Sequence, residues 1–335
     1  MRFPEEGIAR ELYARLELHI YDGDPLTELQ IQGAGVHWDC TLTSNGRRVV
    51  THCFNGVYLL LFGEGERVDF TGRTKDLDLV EAAIIDWTTG HPLETLYHRY
   101  GFIDRDKRAF AVLKEELERA APDLAKVSWE YDIHDGEYFG FEMVHGDRGC
   151  SCVSWRDESR RRFSFAWDEC RLFEAGHGSI HELGLAIKAW LIDRVQPSTL
   201  ETQFPWIDIG ELARYYERGE PVKGEFLASW DHMEGFYRES MKGYMEIDPV
   251  LDLMKDLREK GYDETLRAGQ SLSTLMLSRS RRHGLRPEQK FIAISFPEKG
   301  MVIEDSKGNE KAYDQVEVVP ELLELLDELV RAEID

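Results

Sequence analysis

The sequence predicts an α+β protein made of tandem helix–antiparallel sheet–helix units, with two clear copies and a diverged third. Residues 70–87, FTGRTKDLDLVEAAIIDW, align without a gap on residues 173–190, FEAGHGSIHELGLAIKAW, and both runs close on a tryptophan, Trp87 and Trp190. One residue of slippage later the match resumes. LETLYHRYGFID from Leu93 sits on PSTLETQFPWID from Pro197, sharing Thr95/Thr199, Leu96/Leu200, Ile103/Ile207 and Asp104/Asp208. Around these runs lie short alternating segments bounded by turn residues, each set framed by helical periodicity. The expected units are residues 1–104, 105–235 and 236–335.

The first unit opens with a helix over Glu5 to His19, where Ile8, Leu12, Leu16 and His19 recur at helical spacing. YDGDP breaks it. The runs TELQIQG, VHWDCTLT, RRVVTHCF, VYLLLFG and ERVDFTG read as strands, with Asn45-Gly46 and Asn55-Gly56 as two-residue hairpin turns. A helix then turns Leu77, Val80, Ile84 and Trp87 inward.

The second unit begins with a helix near Asp106 to Ala120, with Phe110, Leu113 and Leu117 on its inner face and Pro122 after its end. VSWEYDI and EYFGFEM form a hairpin across His134-Asp135-Gly136, and GCSCVSW, RRRFSFAW and ECRLFEAG continue the sheet. Ser179 caps the next helix, with Glu182 completing a capping box. PSTLETQFPWI and a helix from Asp208 to Arg218 close the unit.

The third unit starts with a helix from Pro249 to Lys260 and continues through LSTLMLS, KFIAISF, GMVIEDS and NEKAYDQ. KFIAISFPEKGMVIEDS resembles the hairpin just before the terminal helix of each earlier unit. The last helix, Val319 to Ala332, turns Leu322, Leu325, Leu326 and Leu329 inward.

The chain has 335 residues, 42% hydrophobic and 11% aromatic, enough to build real cores and to exclude wholesale disorder. No apolar run approaches the ~20 residues of a membrane span. The acidic, amphipathic start, MRFPEEGIARELYARLELHI, lacks a secretory pattern, and five cysteines are no disulfide framework, so a cytoplasmic location is expected. Net charge is −23, with 41 basic and 64 acidic residues, and all three units carry an acidic excess. Such a charge repels nucleic acid and anionic membranes and attracts a basic protein.

No nucleophile elbow, phosphate loop, dinucleotide fingerprint or metalloprotease helix is present, and no cofactor is expected. Cys150 and Cys152 with His177 and His181 supply four zinc-type donors, but Cys-x-Cys on a strand and a His pair straddling a helix start are the wrong spacing, so no metal is expected. Cys170 follows Asp168 and Glu169, a poor field for a reactive thiolate. Basic residues cluster at Arg160–Arg162 and at Arg279, Arg281, Arg282, His283 and Arg286. The second cluster either binds an anion through Arg279, Arg281, Arg282 and Arg286 or pairs with neighbouring acids.

The hairpin VSWEYDIHDGEYFGFEM is the best interaction candidate. Alternation puts Trp129, Tyr131, Ile133, Phe139, Phe141 and Met143 on the core face. Glu130, Asp132, Tyr138 and Glu142 fall on the other, with Asp135 and Glu137 in the turn.

From residue 170 to the C-terminus the chain resembles an uncharacterised bacterial family. The residues carrying this are a Trp-ended helix (Trp190), a Leu200-x3-Phe204-Pro205-Trp206 link, Leu212-Ala213 in a following helix, a late Trp230 and a strand ending in Ser278-Arg279. Members are sometimes labelled natural-product biosynthesis proteins from gene neighbourhood, and the resemblance brings no catalytic residues.

Two functions are expected from these features. One is a non-enzymatic acidic binding protein, of the toxin-neutralising immunity type or an adaptor, docking a basic protein through the acidic sheet face. The other is an enzyme or accessory factor in biosynthesis holding an anionic substrate with the Arg279–Arg286 loop.

Overall fold

The computed structural model describes residues 4–20, 27–134, 138–155, 162–281 and 288–334. The chain forms two compact units, Met1–Val195 and Gln196–Asp335. Residues 196–235, expected with the second repeat, thus fall in the second compact unit.

In the first unit α1 (Pro4–Glu17) precedes β1 (Thr27–Ala34), β2 (His37–Ser44), β3 (Arg47–Phe54), β4 (Val57–Glu64) and β5 (Phe70–Thr74). Helices α2 (Leu77–Thr88) and α3 (Leu93–Arg99) follow. The order then repeats: α4 (Arg105–Ala120), β6 (Ser128–His134), β7 (Tyr138–His145), β8 (Arg148–Trp155), β9 (Arg162–Trp167), β10 (Cys170–Ala175) and α5 (Ile180–Leu191). Each sheet is an antiparallel meander in which every strand pairs with its chain neighbour. The expected fold class is observed.

Local chemistry sets this order. Asn45-Gly46 and Asn55-Gly56 take positive φ at both positions, 53° and 79°, then 49° and 68°. That is the turn whose twist matches paired strands, and asparagine and glycine tolerate it best. Asp76 caps α2, its carboxylate accepting from the N–H groups of Asp78 (3.0 Å) and Leu79 (3.2 Å). Ser179 caps α5 through the N–H of Glu182 at 3.3 Å. Strand alternation then sorts the residues. Leu42, Val49, Phe62 and Phe70 form one buried cross-strand row under α1 and α2. Phe141, Cys152 and Phe163 form such a row in the second sheet. In α5, Gly184 admits α4: a Cβ there would lie 2.8 Å from that of Ala120.

The two copies share an aromatic core. Phe62 and Phe70 stack at 4.8 Å and 10°, and Phe165 and Phe173 at 4.9 Å and 12°. Trp87 stands edge-on to its pair at 88° and 89°, and Trp190 to its pair at 85° and 79°. Each tryptophan face carries an arginine from the first position of the middle strand. The Arg47 guanidinium lies 4.0 Å from the Trp87 ring and donates to the carbonyls of Trp87 (2.9 Å) and His91 (2.7 Å). Arg148 lies 4.0 Å from Trp190 and 4.2 Å from Trp167, and donates to the carbonyls of Trp190 (3.4 Å) and Val195 (2.6 Å). The arginine thus binds one carbonyl in the last turn of the helix and one in the link that follows, although in the first copy the Trp87 carbonyl also accepts from the Gly90 N–H at 3.0 Å.

The repeated link after each Trp-ended helix is a repeated turn. In the first copy the N–H of Tyr100 donates to Leu96 and that of Ile103 to Tyr100; after α6 (Pro197–Gln203), Phe204 donates to Leu200 and Ile207 to Phe204.

The second unit continues through α7 (Gly210–Glu217), α8 (Pro221–Glu239) and α9 (Asp248–Glu259). The third meander is β11 (Arg267–Ser271), β12 (Thr274–Ser278), β13 (Phe291–Ser295), β14 (Met301–Asp305) and β15 (Glu310–Tyr313), closed by α10 (Pro320–Val330). Its core gathers Trp230 and Tyr237 from α8 with Leu253 and Leu257 from α9, and Leu277, Ile294 and Leu326. Three expectations are corrected here. α8 is a helix of 19 residues where none is expected. β11 is an unexpected strand, joined to β12 through Leu272 at φ 55°, a turn lacking the usual asparagine or glycine. KFIAISF and GMVIEDS are consequently the third and fourth strands of their sheet, and β15 separates them from the terminal helix, unlike the final hairpins of the earlier copies.

Arg148 is 2% exposed, so its stacking and hydrogen bonds act in a low-dielectric setting. Arg148→Lys keeps the charge but removes the planar fork. It is expected to lower unfolding free energy by about 2–4 kcal/mol. Arg47→Lys should cost less, because the Arg47 side chain is 20% exposed. Urea unfolding of both variants checks this; equal losses, or none, would contradict the assigned role.

Candidate functional site

The helices cover one face of the second sheet, and the opposite face carries the acidic residues. Backbone pairing places Glu130 directly opposite Glu142, followed across the sheet by Ser151, Ser164 and Glu174. The next row runs Asp132, Gly140, Val153 and Arg162. Glu130, Asp132, Glu142 and Glu174 are all exposed. The two ends of the face differ. At the β10 end Glu174 pairs with Arg171 (3.0 Å) and Arg162 (3.6 Å). At the β6–β7 end two carboxylates face each other across the strands, with Val144 and Val153 exposed nearby at 40% and 44%. Like charges directly opposite destabilise a sheet by a few tenths of a kcal/mol up to ~1.

Of the residues singled out in the sequence, Glu130, Asp132 and Glu142 therefore share one face. Tyr138 lies in β7 opposite His134, its side chain outside the described residues, as are Asp135 and Glu137. Tyr131 departs from expectation. It sits on the core side, its ring 5.1 Å from Phe110, yet is 64% exposed because β6 is the edge strand. Alternation alone gives the face of a residue but not whether its strand has a neighbour on each side.

Burial governs the thiols. Cys150 and Cys152 point into the core, opposite Met143 and Phe165, and Phe141 and Phe163. Burial pushes the Cys150 thiol well above its ordinary pKa, and those of Cys40 and Cys53 up to about 12. His177 is engaged at its own helix start, Nδ1 accepting from the N–H of Ser179 at 3.1 Å. Among the described residues no cluster of three or more His, Cys, Asp or Glu is placed to hold a metal ion.

Of the third-unit arginines, Arg282 and Arg286 lie outside the described residues. Arg279 donates to the carbonyl of Thr265 at 3.3 Å, and burial lowers its pKa. Arg281 grips Glu225 from α8, its Nε 3.0 Å from both carboxylate oxygens and Nη2 2.9 Å from Oε1. The Tyr216 hydroxyl donates to the same carboxylate. Glu225 is 6% exposed, so this is a buried charge held by its partners. An open groove of about 570 Å³ in this unit is lined by charged residues, including Glu234, Asp252 and Arg258. Arg258 is itself paired with Asp231 and Glu234 (both 2.8 Å) and with Asp263 (3.1 Å).

Comparison with family models, curated proteins and solved structures finds no match for this chain.

Two stability measurements separate the acidic face from the buried pair. Glu130→Lys should raise unfolding free energy by about 0.2–1 kcal/mol, because an attraction replaces a repulsion; a fall in the urea midpoint would mean that Glu130 supports the fold. Arg281→Met strands the Glu225 carboxylate and should cost about 3–5 kcal/mol, most of it recovered by adding Glu225→Leu. A double-mutant cycle with additive losses would show that the pair is not coupled.

Proposed function

We propose that this protein is a non-enzymatic acidic binding protein that docks a basic protein domain through the open face of its second sheet. An immunity-type protein masking a basic toxin, or an adaptor, fits this chemistry. The observation that supports it most is the Glu130–Glu142 juxtaposition. Both carboxylates are exposed and opposed across adjacent strands, an arrangement that costs stability, whereas a cationic surface would turn the repulsion into attraction. The exposed Val144 and Val153 add apolar area beside the charges, as a protein contact needs. A net charge of −23 steers a basic partner towards the chain from a distance. The alternative, an anionic substrate on the arginine loop, has weaker support, because the Arg281 fork already holds Glu225.

Affinity capture from the native host tests the proposal. At low salt (roughly 0.05 M) a basic protein should be retained, and at roughly 0.5 M, where screening is strong, released. The Glu130→Gln/Glu142→Gln variant should lose at least about tenfold in affinity, about 1.4 kcal/mol. Undiminished capture by that variant, or none at either salt, would refute the acidic docking face.

A further inference from the structure

The same sheet ends in an edge that is open in a particular way. Among the described residues β6 is hydrogen-bonded on one side only, to β7, and the register runs without a break from Ser128 to His134. An edge strand presents unpaired N–H and C=O groups, and proteins usually protect it with a lysine, a proline, a bulge or a covering segment. Two of the other three edges of the first unit, β5 and β10, show such protection. On β5, Gly72 bridges to Ile103, while Asp104 donates its N–H to the Thr71 carbonyl at 2.8 Å and accepts from the Thr71 N–H at 3.1 Å. β10 carries a register shift between Arg171 and Phe173, and Arg171 itself is exposed. β1, TELQIQGA, has no lysine, arginine, proline or bulge either, and differs from β6 in that no large apolar residue on it is strongly exposed. β6, SWEYDIH, has no lysine, arginine, proline or bulge, and it leaves Tyr131 64% exposed beside Phe110.

We infer that β6 is a strand-acceptor edge, and that an extended segment of the basic partner adds to it as a sixth strand. This rests on the docking role proposed above and specifies how the partner binds. Alternation along β6 dictates the guest sequence. Glu130 and Asp132 are exposed on the open face and call for lysine or arginine at alternate guest positions. Tyr131 lies on the other face and calls for an apolar residue between them, closing over the ring and Phe110. The guest is thus a basic–apolar–basic strand. Backbone hydrogen bonds supply affinity and the alternating side chains supply selectivity. The acidic residues also reject a second copy of this chain, because two β6 edges would bring like charges together.

The test uses the full chain and a synthetic peptide of about ten residues alternating lysine and valine, enough to span β6. One control peptide has the same composition with alternate amides N-methylated; another has its lysines and valines in separate blocks. Calorimetry at low salt should show the alternating peptide binding at least about tenfold more tightly than either control. Amide exchange across residues 128–134 should slow on saturation, and Tyr131→Lys, which adds a guarding charge at an exposed site, should abolish binding. Strand addition is overturned if the alternating peptide does not bind, if the N-methylated peptide binds equally well, or if β6 exchange is unchanged at saturation. Should Glu130→Gln/Glu142→Gln still release the host partner in any of those cases, the acidic docking face stands without strand addition.

Discussion

An arginine laid on a tryptophan, at the point where a helix runs out of hydrogen-bond partners, holds each copy of the repeated unit together. The helix end exposes carbonyls that must be satisfied. The middle strand of the sheet begins just below it, and its first residue, Arg47 or Arg148, reaches both the ring face and those carbonyls. One side chain thereby ties strand, helix and the following link. The cost shows in the charge itself. Burial brings the Arg148 pKa down to about 10, and its Nε has no hydrogen-bond partner. Ring contact and carbonyl bonds offset this, since a desolvated cation on an indole is worth ~2 kcal/mol or more. The copies are not identical: the Trp190 indole donates to the Gly149 carbonyl at 3.1 Å, whereas the buried Trp87 indole N–H finds no acceptor among the described residues. The third sheet has no arginine–tryptophan clamp at its closing helix. There Trp230, from α8, anchors to the Leu266 carbonyl at 2.8 Å.

What the sequence makes legible follows from how far apart the interacting residues lie. Asn45-Gly46 and Asn55-Gly56 act over two residues and the Ser179 cap over three, and these are found as expected; the Glu182 half of the capping box is not, because the Ser179 N–H donates to His177 Nδ1 instead. The arginine clamp spans 40 residues in one copy and 42 in the other, beyond any local period. It was accessible only by extending the repeat alignment backwards, where Arg47 and Arg148 each follow a turn and open the third strand of their sheet. β11 was hidden because Leu272 performs a turn normally marked by glycine or asparagine. α8 was hidden by Pro221, Gly224 and the charged Glu225. Pro221 is at home in a first turn. Gly224 leaves room for the Tyr215 side chain, whose Cβ would lie 2.5 Å from an added Cβ, and Glu225 is buried on Arg281. Pro221 thus has a local reason, and Gly224 and the buried charge of Glu225 have tertiary ones.

The candidate site divides along the same line. That Glu130, Asp132 and Glu142 share a face is a matter of parity, which sequence supplies. That Glu130 meets Glu142, rather than a residue two places away, depends on register, which pairs Ser128 with Val144 and His134 with Tyr138. That Tyr131 is exposed depends on which strand ends the sheet, a property of topology. The two features that single out this edge are thus ones that local pattern does not encode.

The clamps and the acidic face are connected through the use of positive charge. An arginine bound to carbonyl oxygens and an indole neutralises no carboxylate. Arg148 is used in this way and Arg47 in part, its Nε also lying 3.8 Å from the Glu64 carboxylate, in a chain where 41 basic residues already face 64 acids. Arg281, committed to the buried Glu225, is equally removed from the surface balance. Scaffold and surface thus draw on the same small pool of cations, and on the open face of the second sheet Arg162 and Arg171 pair with Glu174, at the end opposite the Glu130–Glu142 pair. Adding a cation beside Glu130 and Glu142 would ease the repulsion, but it would also remove the charge by which a basic strand could be recognised. On the docking role proposed above, the same carboxylates weaken the isolated sheet and favour the bound one, a trade of stability for recognition.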